Sequence, residues 1–374
     1  MSALEELIQI ASGVENPYLE EWTARGKKAV GFLCSHVPEE VLYAADVLPY
    51  RLRAPGCADT FSADVYMGHV NCTFVRSCLE YIFSGSFDFL DGFVFTNSCD
   101  HSRRLYDVLR EKKPFPFMQF LSVPHKVGGE EIAQWHRGEF AALVKAIEES
   151  FGAEVTDDKL RSAIRLYAES RALLRELYDL RKGDRPPLTG AETLSIVLAA
   201  SSMPREDFNR ILRKALAELR EREGLSGHRA RLMVAGSGGC DDPEYYRVIE
   251  DQGGLIVTDS LCFGSRYFWN DVEDEEDPLL GLARSYLRRP ACANMTDQVA
   301  ERFEFIKRMT HDFQVDGVIF QRIRHCDLWG GQLFYITEKM RESNIPLLSL
   351  EREYRLGATG QLRTRVQAFL ESME

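Results

Sequence analysis

Nine cysteines stand in this sequence: Cys34, Cys57, Cys72, Cys78, Cys99, Cys240, Cys262, Cys292 and Cys326. An odd number cannot pair completely as disulfides, and thiols of a reducing compartment stay free. Thiolates bind soft metals, so zinc and iron–sulfur chemistry are open to them, beside the plain alternative of cysteine as a small buried apolar residue. No C-x-x-C pair or close Cys/His set of the zinc type is present. Instead Cys34, Cys99, Cys240, Cys262 and Cys326 each fall at or just past the end of an apolar run that reads as a buried strand, and Cys72 falls at an expected helix start. In open α/β sheets, ligands bind beyond the carboxyl ends of the strands. Single cysteines from several such loops suit an iron–sulfur cluster, whose negative charge loop amides and helix N-termini would offset. On spacing alone, zinc and plain thiols remain open.

The elements that must position these cysteines come in two matching sets. Residues 28–34 form a short apolar strand, and Pro38-Glu39-Glu40 opens a helix, with Pro near the first helical position and acids at the positive end of the dipole. Residues 90–95 form a second strand, followed by a polar turn to Cys99 and a helix; residues 114–123 read as a third. The last third repeats this order. Residues 231–236 are a strand with Cys240 just beyond it, and Pro243-Glu244 opens a helix as Pro38-Glu39 does. Each half also carries a D-G-x-x-F strand, Asp91 to Phe95 and Asp316 to Phe320, leading to a Cys-Asp pair, Cys99-Asp100 and Cys326-Asp327. Between the halves the chain is mostly helical: Leu160, Ile164, Tyr167, Leu174 and Leu177 recur at helical spacing, with Arg171 the one polar break. The expectation is an α/β protein with two similar doubly wound (Rossmann-like) domains, 1–128 and 229–374, and a helical insert, 129–228, between them.

The 374 residues suffice for two sizeable cores, and 45% hydrophobic with 28% charged residues is ordinary globular composition. A net charge of −12 without any basic block argues against nucleic acid as the main partner. No apolar run reaches the roughly 18 residues of a membrane helix. Residues 1–13 are acidic and amphipathic, unlike a signal peptide, so a soluble cytoplasmic protein is expected. The acidic run 271–277 reads as an exposed loop, with docking toward a basic partner open to it. Gly236-Ser237-Gly238-Gly239 lacks the Lys and Ser/Thr of a P-loop and reads as a tight turn bringing backbone close to a ligand.

Taken in order, several segments resemble the 2-hydroxyacyl-CoA dehydratase and benzoyl-CoA reductase superfamily, near its shorter (beta/C-type) subunits. They are Gly31 to Glu40, Ala44-Ala45 to Leu52, Cys72-Thr-Phe-Val-Arg-Ser77, Asp91-Gly92 through Cys99-Asp100, Cys326-Asp327, Ile345 to Tyr354 and Gly360 to Arg365. The resemblance covers almost the whole chain. It implies that Cys72, Cys99 and Cys326 hold a [4Fe–4S] cluster. Cys34, Cys240 and Cys262 add a likeness to the members with a double-cubane [8Fe–9S] cluster, and imply a second cubane on those three. Cys57 is the first substitute ligand, Cys78 a packing residue, and Cys292 is left without a role. The implied function is the iron–sulfur subunit of an ATP-dependent benzoyl-CoA reductase-type enzyme, partnered by a longer homologous subunit and a separate ATP-hydrolysing iron–sulfur activator, with an acyl-CoA substrate. The alternatives are a 2-hydroxyacyl-CoA dehydratase subunit with one [4Fe–4S] cluster, and a non-catalytic electron-transfer iron–sulfur protein. His36, His69, His101 and His325 lie near expected ligands and could donate to sulfur or move protons. Arg76 and Arg266 could offset cluster charge or bind a CoA phosphate, and Glu351 and Glu353 could be proton donors, with solvated ion pairs as the ordinary alternative.

Overall fold

The computed structural model describes residues 1–273, 275–357 and 359–374. Strands β1 (Lys28–Phe32), β2 (Val47–Arg51), β3 (Gly92–Thr96) and β4 (Phe117–Leu121) form one sheet in the order β2-β1-β3-β4. Strands β5 (Ala230–Gly236), β6 (Gly254–Ser260), β7 (Gly317–Ile323) and β8 (Leu347–Arg352) form another in the order β6-β5-β7-β8. Counted from its own first strand, each sheet reads 2-1-3-4, so the internal repeat is one of topology. Every pairing is parallel. The central strands are buried along nearly their whole length, as parallel strands covered on both faces must be. Strand β2 carries Pro49, which cannot donate to a ladder; it pairs with β1 alone and stands at the sheet edge, where proline is tolerated.

The repeated Asp-Gly has one structural job in both halves. Asp91 Oδ2 accepts the Ala29 N–H at 3.0 Å, while the Asp91 N–H donates to the Ala29 carbonyl at 2.8 Å. Asp316 Oδ2 accepts the Arg231 N–H at 2.8 Å, and its own N–H donates to the Arg231 carbonyl at 2.8 Å. Each aspartate therefore fixes the register of the third strand of its sheet against the first. The glycine that follows admits a neighbour: a Cβ on Gly92 would stand 2.1 Å from the Phe117 carbonyl oxygen.

Four helices, Glu130–Phe151, Asp157–Asp179, Gly190–Ala199 and Arg205–Glu221, run between β4 and β5. They pack on both halves. Helix Asp157–Asp179 packs on helix Glu39–Ala44 of the first half, and helix Gly190–Ala199 on helix Pro243–Glu250 of the second. Buried charges tie these parts together. Arg171, the polar break in the helical pattern, pairs with Glu40 at 2.7 Å, and Arg205 pairs with Glu39 at 2.6 Å. Tyr286 and Tyr267 donate to the same two carboxylates, at 2.7 and 2.9 Å. Glu39 and Glu40 thus do more than favour the start of a helix; they join three stretches of the chain.

The acidic run is likewise committed within the molecule. Asp271 pairs with Arg175, Glu273 with Arg288, Glu275 with Arg284 and Asp277 with Arg137. Asp274 lies outside the described residues. Among the described residues, the charge left open to a docking partner is largely neutralised by the chain's own arginines. Among the described residues, no helix is long and apolar enough to cross a membrane.

Candidate functional site

The carboxyl ends of the two sheets face one crevice of about 330 Å³. Cys34 follows β1, Cys262 follows β6, and Cys72, Cys99 and Cys326 are each the N-cap residue of a helix, Thr73–Phe83, Asp100–Lys112 and Asp327–Glu342. All five line the crevice, Cys72 buried and the rest partly exposed. Three thiols at three helix N-termini sit where unpaired N–H groups and the helix dipole favour negative charge. The Cys99 sulfur already accepts the Ser102 N–H at 3.4 Å. Desolvation acts the other way: burial pushes the Cys72 thiol up to about 12 and Cys326 up to about 11, and raises Cys34 and Cys99 as well. Such thiols stay protonated until a cation replaces the proton.

The sixth expected cysteine does not join them. Cys240 is absent from the crevice lining and is fully buried in the apolar core of the second sheet, with the Arg352 guanidinium beside its thiol. The cause is the glycine turn. Gly236 (φ +119°) and Gly239 (φ +68°) both take left-handed backbone, and a Cβ on Gly239 would stand 3.0 Å from Phe74. Gly238 and Gly239 therefore form the crevice wall, and Cys240 falls behind it. Gly238 brings bare backbone close to a thiol, since a Cβ there would lie 3.2 Å from Cys262 Sγ.

Cys292 occupies the crevice instead. It sits in the loop between helices Pro278–Leu287 and Val299–Asp312, so no strand end announces it. Two buried arginines hold this loop: Arg302 donates to the carbonyls of Cys292 and Met295, and Arg266 donates to the Ala291 carbonyl at 3.4 Å. The Cys262 loop is held as firmly. Asp259 Oδ1 accepts the N–H groups of Leu261 (3.0 Å) and Ser265 (2.8 Å), and Tyr178 donates to Asp259 Oδ2. Arg51, also in the lining, donates to the carbonyls of Leu33 and Cys262, so one cation spans both halves.

Cys57 is buried elsewhere, its thiol donating to the Asp59 carbonyl at 3.0 Å, and Cys78 is fully buried packing. His36 and His101 line the crevice, and so does His125, which no motif in the sequence singles out. His36 is buried, its Nδ1 has no partner, and burial with the nearby Arg289 pushes it down to about 3. His69 is exposed and contacts Arg76 at 2.8 Å, while Arg76 pairs with Asp64 at 3.0 Å. His325 contributes its carbonyl, which accepts from His101 Nε2 at 2.8 Å. Glu351 and Glu353 pair with Arg322 and Arg324 away from the crevice.

Comparison with known proteins finds relatives along nearly the whole chain. The C-type component of benzoyl-CoA reductase from Thauera aromatica is 24% identical over 353 residues, 93% of this chain and 91% of that protein. The beta subunit of (R)-2-hydroxyglutaryl-CoA dehydratase from Acidaminococcus fermentans is 26% identical over 384 residues, covering 100% of both. The beta subunit of (R)-phenyllactyl-CoA dehydratase from Clostridium sporogenes is 23% identical over 365 residues, 96% of each. The family described as 2-hydroxyglutaryl-CoA dehydratase, D-component, matches residues 34–373. With nearly its full length inside that match, the chain belongs to this family, as a beta/C-type subunit of the 2-hydroxyacyl-CoA dehydratase and benzoyl-CoA reductase superfamily.

Proposed function

We propose that this chain is the iron–sulfur subunit of a low-potential, ATP-dependent reductase of an aromatic CoA thioester, and that its crevice holds a double-cubane cluster. The observation that carries the reading is six thiols, from Cys34, Cys72, Cys99, Cys262, Cys292 and Cys326, lining one crevice between two matching sheets. They are spread over its walls. Among the described residues, no three His, Cys, Asp or Glu side chains converge closely enough for one metal ion. Dispersed single thiols fit a multinuclear iron–sulfur group better than a lone ion. Cys72, Cys99 and Cys326 would hold one cubane. Cys34 and Cys262 would hold the other, with Cys292 in the place first given to Cys240.

Bound there, the cluster would supply electrons at strongly negative potential. The chain's own part is to keep that charge tolerable and the site dry. Three helix N-termini and the Arg51 guanidinium offset negative charge. Phe74, Phe263 and Trp329 in the lining exclude water, and His101 and His125 carry exchangeable protons at the walls. A longer homologous subunit would complete the enzyme, in line with relatives named as subunits. A separate ATPase would deliver the electrons.

The dehydratase names among the relatives favour a second reading, in which only Cys72, Cys99 and Cys326 hold one cubane. Iron and sulfide analysis after anaerobic purification separates the two. About eight irons per chain supports the double cubane, about four the single one. A chain that takes up no iron under strict anoxia overturns both.

A further inference from the structure

A second cleft, of about 680 Å³, lies one residue behind the crevice. Arg352 lines it and donates to the carbonyl of Gly239, a crevice residue, at 2.8 Å. Tyr354 lines it too, its ring packed edge-on to crevice residue Phe74 at 5.2 Å. The proposed cluster leaves this cleft unused.

We propose that it binds the phosphate groups of a nucleotide, a class that includes both the adenosine end of a CoA thioester and a free adenine nucleotide. Three observations carry this. First, the Tyr245 hydroxyl is fully buried at the cleft and, among the described residues, has no hydrogen-bond partner, an unmet bond that a ligand oxygen would satisfy. Second, the unspent charge is positive. Glu351 and Glu353 are taken by Arg322 and Arg324, which leaves Asp242 as the one remaining acid of the described lining against Arg352, Arg355 and Arg365. Arg352 spends its donors on Gln321, on the carbonyls of Glu353 and Tyr354, and on Gly239. Among the described residues, Arg355 and Arg365 each donate one bond, to the carbonyls of Ala58 and Ser349, and keep other N–H groups for a ligand. Third, Gln361 and Arg365 stand on the first turns of helix Thr359–Glu371, whose N-terminal amides suit phosphate. Leu350, Leu356 and Leu362 give the cleft an apolar side for a base, and its volume lies in the range of small-molecule sites. Naming a CoA thioester as the source rests on the proposed function; the phosphate chemistry does not.

The test is anaerobic calorimetry on the full-length, iron-loaded chain with CoA, ADP and inorganic phosphate as probes, on wild type, Tyr245→Phe and Arg365→Gln. Saturable binding of CoA or ADP, weakened about tenfold or more in each variant, is expected. CoA the tighter of the two identifies the thioester as the source, and ADP equal or tighter identifies a free nucleotide. No binding at millimolar concentration overturns the inference, as does binding that neither variant weakens. Inorganic phosphate binding as tightly as either nucleotide means an adventitious ion only, and also overturns it. Should Tyr245→Phe not fold, Arg365→Gln on its exposed helix face decides alone. Iron content is measured on the same samples, so a chain that binds CoA without iron overturns the cluster and leaves this site standing.

Discussion

At the scale of single residues, the thiols divide by which side of a glycine turn they occupy. Cys292→Ser should lose about half of the bound iron if one cubane depends on it, whereas Cys240→Ser should keep its iron and lose only packing. Iron-to-protein ratios and the charge-transfer absorbance of anaerobic samples read both. Iron loss confined to Cys240→Ser would reverse the assignment. Five of the six crevice thiols were legible in the sequence because a strand end or a helix start precedes them. Cys292 was not, since it follows a helix and reaches the crevice only because Arg266 and Arg302 pin its loop. The same rule places Cys240 in the crevice, where the structure does not: a strand does end four residues before it, but two left-handed glycines turn the chain before the side chain is placed. Backbone reversals of this kind leave residue types unchanged and are invisible to spacing.

At the scale of elements, polar residues inside apolar patterns mark where segments meet. Arg171 interrupts a helical stripe because Glu40 waits opposite it. Arg171→Ala leaves that buried carboxylate with the Tyr286 hydroxyl and the field of Arg289 but no direct ion pair, and should cost about 3 kcal/mol in urea unfolding. A cost below about 1 kcal/mol would mean that Glu40 finds another partner or water. His136, in helix Glu130–Phe151, makes the complementary case. It is fully buried, packs on Phe140 with centroids 4.3 Å apart, and neither ring nitrogen has a partner. Burial pushes it down to about 4 from an ordinary 6.5. The unfolded chain takes up this proton below pH 6.5, while the folded one resists until about pH 4. Its contribution is therefore complete above 6.5 and falls away between 6.5 and 4, by about 3 kcal/mol in all. Between pH 7 and pH 5, wild type should lose about 2 kcal/mol more stability than His136→Phe. Equal losses in the two proteins would show that the ring is protonated in place. The repeated Asp-Gly was legible as a pattern, but its job, an aspartate bonding both ways to the first strand of each sheet, required the register to be known.

At the scale of the whole molecule, the two sheets share no strand, yet both supply thiols to one crevice: Cys34, Cys72 and Cys99 from the first, Cys262, Cys292 and Cys326 from the second. Direct contacts already join the halves around the crevice: Arg51 donates to the Leu33 and Cys262 carbonyls, His101 to the His325 carbonyl, Thr73 to Glu353, and Phe74 packs on Phe263 and Tyr354. A ligand bound only by the folded arrangement stabilises it by mass action, and one gripping both halves couples their unfolding. Anaerobic melting should therefore show the iron-loaded chain unfolding in one transition, about 5 °C or more above the iron-free chain. Cys72→Ser and Cys262→Ser, one from each half, should both forfeit that rise although their own packing losses are small. A single cubane on Cys72, Cys99 and Cys326 would give a different pattern, with Cys262→Ser melting like wild type. Loaded and iron-free chains that melt together would mean that the thiols meet in the crevice without gripping anything.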